Sequence, residues 1–217
     1  LAATPKRLRF ASTLPALLAG GDIDTAIDPI ALHHYMSWHA VVPAPHTIVQ
    51  GVTKLPPATV ATFERDGTRH YHTYWTLSVR EDPALAALKD VEREAHVEDA
   101  LRTAVRRRMV ADVPVGVLLS GGVDSSLIVA LLAQMGQRDL QTFSIGFEAG
   151  GGEAGDEFRY SDLVAQRFET GHHQIRIPTP DLLQVLPDTI AAMSEPMVSY
   201  DNVAFYLLSR EVSRHLK

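Results

Sequence analysis

Residues 113–134 read VPVGVLLSGGVDSSLIVALLAQ, and the pattern of this stretch changes in its middle. The nearly continuous apolar run Val113–Leu119 is typical of a strand buried on both faces of a sheet. A Ser-Gly-Gly turn follows, and apolar residues resume at helical spacing over Leu127–Met135. A buried strand that passes through a glycine turn into a helix predicts an α/β fold with a parallel sheet.

The turn has the composition of an anion site. Gly121 and Gly122 let the backbone approach a ligand closely, and the first N–H groups of the following helix point to the same place. Asp124 would repel a phosphate unless a divalent cation lay between them, and Mg²⁺ is commonly held by a carboxylate together with phosphates. The plainer alternative is an ordinary helix start in which Asp124 is only a first-turn acid.

Three common loops do not fit this turn. Val123 and Asp124 stand where a Walker A loop needs Lys and Ser or Thr. Leu118 stands where a nucleophile elbow needs glycine, and the glycine spacing differs from that of a dinucleotide fingerprint. An anion site of another kind remains.

Further strands and helices follow the turn. Strands are predicted over residues 141–148 and 173–177, and helices over residues 161–168, 181–193 and 202–216. This alternation predicts right-handed crossovers between parallel strands. Gly171 is expected to end a helix. His172 and His173 are interpreted as part of that helix end, because adjacent residues project apart and make a poor metal pair.

The first third of the chain has short elements broken by proline. Asp28 predicts the capped start of a helix, and Asp66-Gly67 predicts the turn of a β-hairpin. Trp38 and Trp75 are expected in the core. The pattern changes near residues 78–88, so we predict one domain over residues 1–78 and another over residues 79–217.

Composition excludes several classes of function. The chain has 217 residues, a formal net charge of −6 and no cysteine, which removes disulfides and thiolate chemistry. The basic run at residues 106–108 is interpreted as a solvated helix end, and nucleic acid is not expected as a partner. No apolar run reaches the length of a membrane span, and the first residues lack a signal peptide. We expect a cytoplasmic protein with no membrane partner.

Residues 104–132, AVRRRMVADVPVGVLLSGGVDSSLIVALL, closely resemble the pyrophosphate loop and its flanks in the ATP pyrophosphatases of the asparagine synthetase family. The strings TFSIGFE, YSDLVAQRFETGHHQIRI and MSEPMVSYDNVAFYLLSREV resemble the elements that follow it in that family. Upstream, FASTLPALL, residues 35–63 and YHTYW resemble the end of the family's glutaminase domain. The resemblance therefore covers nearly the whole chain.

This resemblance implies an adenine nucleotide alpha hydrolase-like domain, preceded by the C-terminal part of an α+β N-terminal-nucleophile glutaminase. It also implies ATP and Mg²⁺, with Asp124 as the catalytic and metal-holding residue. Glu195 is a candidate contact for the acceptor or the nucleotide, with an exposed loop acid as the equal alternative. The implied ATP-binding residues are Leu119, Ser120, Gly121, Gly122, Asp124, Ser125, Ser126 and Ile145.

The implied reaction is glutamine-dependent amide synthesis through an acyl-adenylate. The substrates would be ATP, glutamine and a carboxylate acceptor, either aspartate or an N-acetylated dipeptide. The insertion EAGGGEAGDEFRYSD, residues 148–162, is more like the branch that amidates N-acetylglutaminylglutamine. The family's nucleophilic cysteine and its second loop would lie outside residues 1–217, so we expect a fragment that is inactive alone. The resemblance is compatible with a homodimer.

Two other functions stay open. Another ATP pyrophosphatase, such as a tRNA-modifying or GMP-forming enzyme, could carry the same loop, although the negative charge and the glutaminase-like segment disfavour it. A non-catalytic nucleotide-binding module could keep the fold, although the acid beside both glycines disfavours that. Magnesium-dependent ATP–pyrophosphate exchange would separate an enzyme from a module.

Overall fold

The computed structural model describes residues 1–4, 6–147, 158–199 and 201–216, with the backbone alone at residues 179–181. Residues 148–157, most of the glycine-rich insertion, lie outside the described residues. By its contacts the chain divides into two units. The N-terminal unit comprises Leu1–Arg80 and Ile190–Tyr200, and the C-terminal unit comprises Glu81–Thr189 and Asp201–Lys217. No helix in the described part is long and apolar enough to cross a membrane.

The N-terminal unit is built from short elements. Its strands and helices are β1 (Ala2–Thr4), β2 (Arg7–Arg9), α1 (Leu14–Leu18), α2 (Pro29–Ser37), β3 (Thr59–Phe63) and β4 (Arg69–Thr73). Strand β1 pairs with β2, and β3 with β4, both antiparallel. The mixture of short helices and hairpins agrees with the predicted α+β character of this part.

Local signals in this unit predicted its structure correctly. The Asp28 carboxylate accepts hydrogen bonds from the N–H groups of Ile30 and Ala31 and so caps α2. Gly67 has a φ of 92° in the turn between β3 and β4, a conformation that favours glycine. The predicted helix start and hairpin are both confirmed.

The prediction that the two tryptophans lie in the core is wrong. Trp38 is 53 % exposed and Trp75 is 60 % exposed. Trp38 is the residue after the last turn of α2, and Trp75 follows β4, whose five residues are all exposed. The buried cluster of this unit consists of smaller side chains, Leu17, Val49 and Val52.

The C-terminal unit has a parallel sheet with helices between its strands. In chain order its elements are α3 (Pro83–Ala86), α4 (Asp90–Arg108), β5 (Gly116–Leu118), α5 (Val123–Gln134), β6 (Gln141–Phe147), α6 (Phe158–Phe168), β7 (Gly171–Ile177), α7 (Thr179–Gln184), α8 (Leu186–Ala192) and α9 (Asp201–Val212). The last three residues of α8 belong to the N-terminal unit. The strand order is β5–β6–β7. Both pairings are parallel, as the alternating pattern predicted.

Strand β5 differs from its prediction in length and burial. It covers three residues, and it is an edge strand of the described sheet. Val113 is 54 % exposed and precedes the strand, and Leu118 is 44 % exposed. The expectation of a strand over residues 113–119 buried on both faces is therefore wrong. Within the described sheet β5 pairs with β6 alone, and the Leu118 side chain is exposed.

A compact apolar cluster supports the turn after β5. It contains Leu119, Val129, Leu132, Leu140 and Ala165, which come from the end of β5, from α5, from the approach to β6 and from α6. Val129 is fully buried, and Leu119 is 1 % exposed. This packing fixes both ends of the β5–α5 loop, which we define as residues 119–122.

The histidine pair occupies a strand and not a helix end. Helix α6 stops at Phe168, and Glu169 takes a left-handed φ of 52°. Gly171 is already the first residue of β7, so His172 and His173 pair with Thr142 and Phe143 of β6. The predictions that Gly171 ends the helix and that the histidines belong to the helix end are therefore both wrong. The chain leaves α6 at Glu169, which takes the positive φ that the sequence pattern led us to expect at a glycine.

Candidate functional site

The β5–α5 loop needs glycine at one position for steric reasons. Gly121 has a φ of 85°. A Cβ atom there would lie 2.7 Å from the Ser161 nitrogen and 2.7 Å from the Tyr160 Cβ. Gly122 has an extended backbone, with a φ of −68° and a ψ of 164°, and a Cβ there would meet only the Ser120 Oγ, at 3.4 Å. Gly121 therefore lets the loop pack onto α6, whereas Gly122 leaves open space above the helix start.

The start of α5 presents free backbone donors. Gly122 is the N-cap residue and makes no side-chain capping bond. The N–H groups of Val123, Asp124 and Ser125 make no hydrogen bond with any described residue, and the first helical bond runs from the Ser126 N–H to the Gly122 carbonyl over 3.1 Å. Free N–H groups together with the positive end of the helix dipole form a site for an anion.

The three serines form a small hydroxyl cluster on the loop. The Oγ atoms of Ser120 and Ser125 lie 3.0 Å apart, and the Gly122 N–H donates to the Ser120 Oγ over 3.3 Å. The Ser126 hydroxyl donates to the Gly122 carbonyl over 2.7 Å. Because a hydroxyl has one proton, Ser126 in this rotamer braces the loop and has none left for a ligand. The Ser125 hydroxyl can donate either to the Ser120 Oγ or to the Gly122 carbonyl, which lies 3.2 Å away.

Asp124 lies in the first turn of α5 with an exposed side chain. Its neighbours on the loop are glycines and serines, so it is the one carboxylate there. No group of three or more His, Asp or Glu side chains that could hold a metal occurs within the described residues. A Mg²⁺ ion would suit this site as one carboxylate plus phosphate oxygens, a common arrangement for that ion.

The structure separates the two predicted adenosine contacts. Leu119 buries its side chain in the cluster under the loop, so only its backbone could meet a ligand. Ile145 is half-buried on β6, and it packs against a second cluster, which contains Ile177 and Leu207. Leu119 directly follows β5 and stays beside β6, since its N–H donates to the Phe143 carbonyl over 2.8 Å.

Two residues beside the loop were missed by the sequence reasoning. The Ser144 hydroxyl donates to the Leu119 carbonyl, and the Ser144 Oγ lies 3.4 Å from the His172 Nε2. Burial lowers the pKa of His172, and the smaller opposing effect of the Asp162 charge raises it. The signal was present as two hydroxyl residues at alternate positions, Thr142 and Ser144, within an otherwise apolar strand.

Glu195 belongs to the N-terminal unit by its contacts, and its carboxylate lies 2.6 Å from the Lys54 Nζ. The Lys54 ammonium also donates to the Val42 carbonyl over 2.6 Å. The pair lines a cavity of about 730 Å³ within that unit. Its role in acceptor or nucleotide binding stays a prediction.

Comparison with known proteins gives the same picture for both parts of the chain. Residues 2–75 match the glutamine amidotransferase domain family, and residues 96–217 match the asparagine synthase family. The chain is 30 % identical over 210 residues to asparagine synthetase [glutamine-hydrolyzing] 1 of Bacillus subtilis. The aligned region covers 95 % of this chain and 31 % of that protein.

Two further relatives show the range of the similarity. A putative asparagine synthetase of Methanocaldococcus jannaschii is 31 % identical over 205 residues, covering 92 % of this chain and 38 % of that protein. The carboxyethyl-arginine beta-lactam-synthase of Streptomyces clavuligerus is 35 % identical over 146 residues, covering 65 % of this chain and 26 % of that protein. The asparagine synthetases therefore match this chain along most of its length, whereas the chain spans only about a third of theirs. The match over residues 96–217 extends across more than half of the sequence and includes the whole β5–α5 loop, so the chain belongs to the asparagine synthase family.

Proposed function

We propose that this chain is part of a carbon–nitrogen ligase that makes an amide from a carboxylate, with ATP as the energy source and glutamine as the nitrogen donor. The names of the asparagine synthetase relatives, which specify glutamine hydrolysis, support this proposal. The observation that carries it is the β5–α5 loop, where open space at Gly122 and free N–H groups of α5 meet.

Each part of the loop has a separate role in the proposal. The N–H groups of the first turn of α5 bind the β- and γ-phosphates. The hydroxyls of Ser120 and Ser125 donate to the same phosphates after they give up their mutual contact and Ser125 gives up its contact with the Gly122 carbonyl. Asp124 holds Mg²⁺ against the same phosphates. Bound there, the ion neutralises the charge of the leaving pyrophosphate. Ser126 braces the turn through the Gly122 carbonyl.

The proposed reaction has two steps. An oxygen of the substrate carboxylate attacks the α-phosphorus of ATP, and the bond to pyrophosphate breaks, which gives an acyl-adenylate. The nitrogen of ammonia then attacks the acyl carbon, the bond to the AMP oxygen breaks, and the nitrogen loses a proton. No nucleophile of the C-terminal unit is required, so catalysis rests on positioning and on neutralising phosphate charge.

The two parts of the chain divide this work in the proposal. Residues 1–78 belong to the domain that releases ammonia from glutamine, and residues 79–217 belong to the domain that activates the carboxylate. The family matches over residues 2–75 and 96–217 support this division. Aspartate is the acceptor that most relatives suggest, and an N-acetylated dipeptide is the alternative that the insertion at residues 148–162 suggests.

The replacement Asp124→Asn in the full-length protein tests the proposal. It preserves the shape of the side chain and removes its charge. Because Asp124 is exposed, the stability should change by no more than the ~0.3–1 kcal/mol of a first-turn acid. The rate of ammonia-dependent amide synthesis should fall about a hundredfold, which corresponds to ~3 kcal/mol in the activation free energy. This assay bypasses glutamine hydrolysis.

A matched control is Asp90→Asn, which changes another exposed acid in the first turn of a helix, α4. This variant should keep the wild-type rate. Magnesium-dependent exchange between ATP and pyrophosphate should follow the synthesis rate in both variants. Synthesis by the Asp124 variant within twofold of wild type would show that Asp124 is only a helix-start residue.

A further inference from the structure

A line of polar side chains lies on one face of the parallel sheet beneath the β5–α5 loop. Thr142 is fully buried and Ser144 is 4 % exposed, and both project from the same face of β6. His172 of β7 stands opposite Thr142, and 11 % of its side chain is exposed. Polar groups so deeply buried are costly unless they bond to one another.

The direction of these hydrogen bonds follows from the number of protons. The Ser144 hydroxyl gives its one proton to the Leu119 carbonyl. Its oxygen can then only accept at the 3.4 Å contact with His172, so the His172 Nε2 carries a hydrogen. The carboxylate of Asp162 lies 3.6 Å from the same nitrogen and favours a hydrogen there too.

The other side of the ring completes the arrangement. The His172 Nδ1 lies 2.8 Å from the Thr142 Oγ1, which is also 2.8 Å from the Thr170 Oγ1. In a neutral ring this nitrogen accepts, so Thr142 donates to His172 and Thr170 donates to Thr142. The lowered pKa of His172, caused chiefly by burial, agrees with the neutral ring.

We propose that His172 is a positioning residue for the β5–α5 loop, because it orients the Ser144 hydroxyl that holds the carbonyl of Leu119. This carbonyl belongs to the last residue before Ser120, so its orientation sets the path of the chain into Gly121 and Gly122. The inference rests on the proposed function, since the loop geometry matters there for the binding of phosphates. His172 itself touches no substrate and acts through Ser144.

Three substitutions in the full-length protein test this link, with the dissociation constant of Mg-ATP as the measurement. Ser144→Ala removes the bond to Leu119, and His172→Asn keeps a polar group near Thr142 but does not reach Ser144. His172→Gln places an amide N–H near the position of Nε2. We expect Ser144→Ala and His172→Asn to weaken Mg-ATP binding about fivefold to tenfold, the scale of one lost hydrogen bond. His172→Gln should stay within twofold of wild type.

The neighbouring histidine is the matched control. His173 lies on the same strand and stacks on Phe143 with ring centroids 4.8 Å apart, but its polar partner is the Gln141 side chain and not Ser144. His173→Asn should lower the melting temperature at least as much as His172→Asn and leave Mg-ATP binding unchanged. Weaker Mg-ATP binding by His172→Asn alone could therefore not be explained by a general loss of stability.

The double variant Ser144→Ala with His172→Asn decides whether one residue acts through the other. The double variant should raise the dissociation constant of Mg-ATP no more than Ser144→Ala alone does. If the two residues acted independently, the two increases would multiply, and this result would overturn the inference. Equal binding of Mg-ATP by His172→Asn and His173→Asn would overturn it as well. Nitrogen NMR of His172 provides a readout that needs no ATP, and a hydrogen on Nδ1 in the neutral ring would contradict the proposed bonding.

The outcomes separate this inference from the proposed function. If the wild-type protein does not bind Mg-ATP, the proposed function fails and the NMR result still decides the hydrogen-bond arrangement. If Ser144→Ala and His172→Asn bind Mg-ATP as well as the wild-type protein does, the proposed function stands and the positioning role of His172 is wrong.

Discussion

Alanine at Gly121 and alanine at Gly122 should have opposite consequences, although the two residues are adjacent. Gly121→Ala should destabilise the C-terminal unit. Gly122→Ala should leave the stability nearly unchanged and weaken the binding of Mg-ATP. The pair therefore separates the structural role of the loop from its proposed role in nucleotide binding.

The expected magnitude for Gly121→Ala has two physical sources. A φ of 85° costs alanine about 1–2 kcal/mol relative to glycine. The new methyl would also lie 2.7 Å from atoms of Tyr160 and Ser161, so α6 or the loop must move, and overpacking of this kind costs about 1–3 kcal/mol. Together the free energy of unfolding should fall by roughly 2–5 kcal/mol.

Gly122→Ala meets neither obstacle. Its φ is −68°, and the new methyl would touch only the Ser120 Oγ, at 3.4 Å. Alanine is a poorer N-cap than glycine, so a cost of up to about 1 kcal/mol remains. The methyl would occupy the space above the free N–H groups of α5, where the proposed phosphates lie. We expect the dissociation constant of Mg-ATP to rise about tenfold or more, equivalent to ~1.4 kcal/mol.

Two measurements on the full-length protein are sufficient. Urea unfolding gives the free energy of unfolding of each variant, and calorimetric titration gives the dissociation constant of Mg-ATP. Wild-type binding by Gly122→Ala would refute the placement of phosphates at this loop. Wild-type stability of Gly121→Ala would refute the steric argument at α6.

Three further predictions concern other parts of the chain. Thr47 is 3 % exposed, and its hydroxyl accepts from the Val49 N–H and donates to either the Val49 or the Val52 carbonyl, so Thr47→Val should lower the free energy of unfolding by about 1–3 kcal/mol in urea titrations. The N–H of Ala31 chiefly holds the pKa of Asp28 below 3.8, so this carboxylate stabilises the fold above that pH and loses its contribution as the pH falls further. Thermal melts should therefore show a gap between wild type and Asp28→Asn at pH 6 that narrows at pH 3; a constant gap would contradict this. Replacement of residues 106–108 by alanine should leave any RNA binding of the full-length protein unchanged, and salt-sensitive binding that disappears in this variant would contradict our interpretation of a solvated helix end.

The sequence by itself determined the features that depend on neighbouring residues. The cap of α2 at Asp28, the hairpin at Gly67 and the strand–loop–helix around Gly121 were all predictable. In each case the bonding partners lie within about four residues, so composition and spacing carry the information. The parallel sheet followed from the alternation of strands and helices, because parallel neighbours require such crossovers.

Only the tertiary structure decided what surrounds the loop. The bond from Ser144 to Leu119 spans 25 residues, and the contact of Ser144 with His172 spans 28. Neither can be read from local spacing, because strand register determines which side chains meet on a shared face. The same reason explains the errors. Whether β5 is covered on both faces, and whether Trp38 is buried, depends on which distant elements pack against them, and a local apolar pattern does not contain that information.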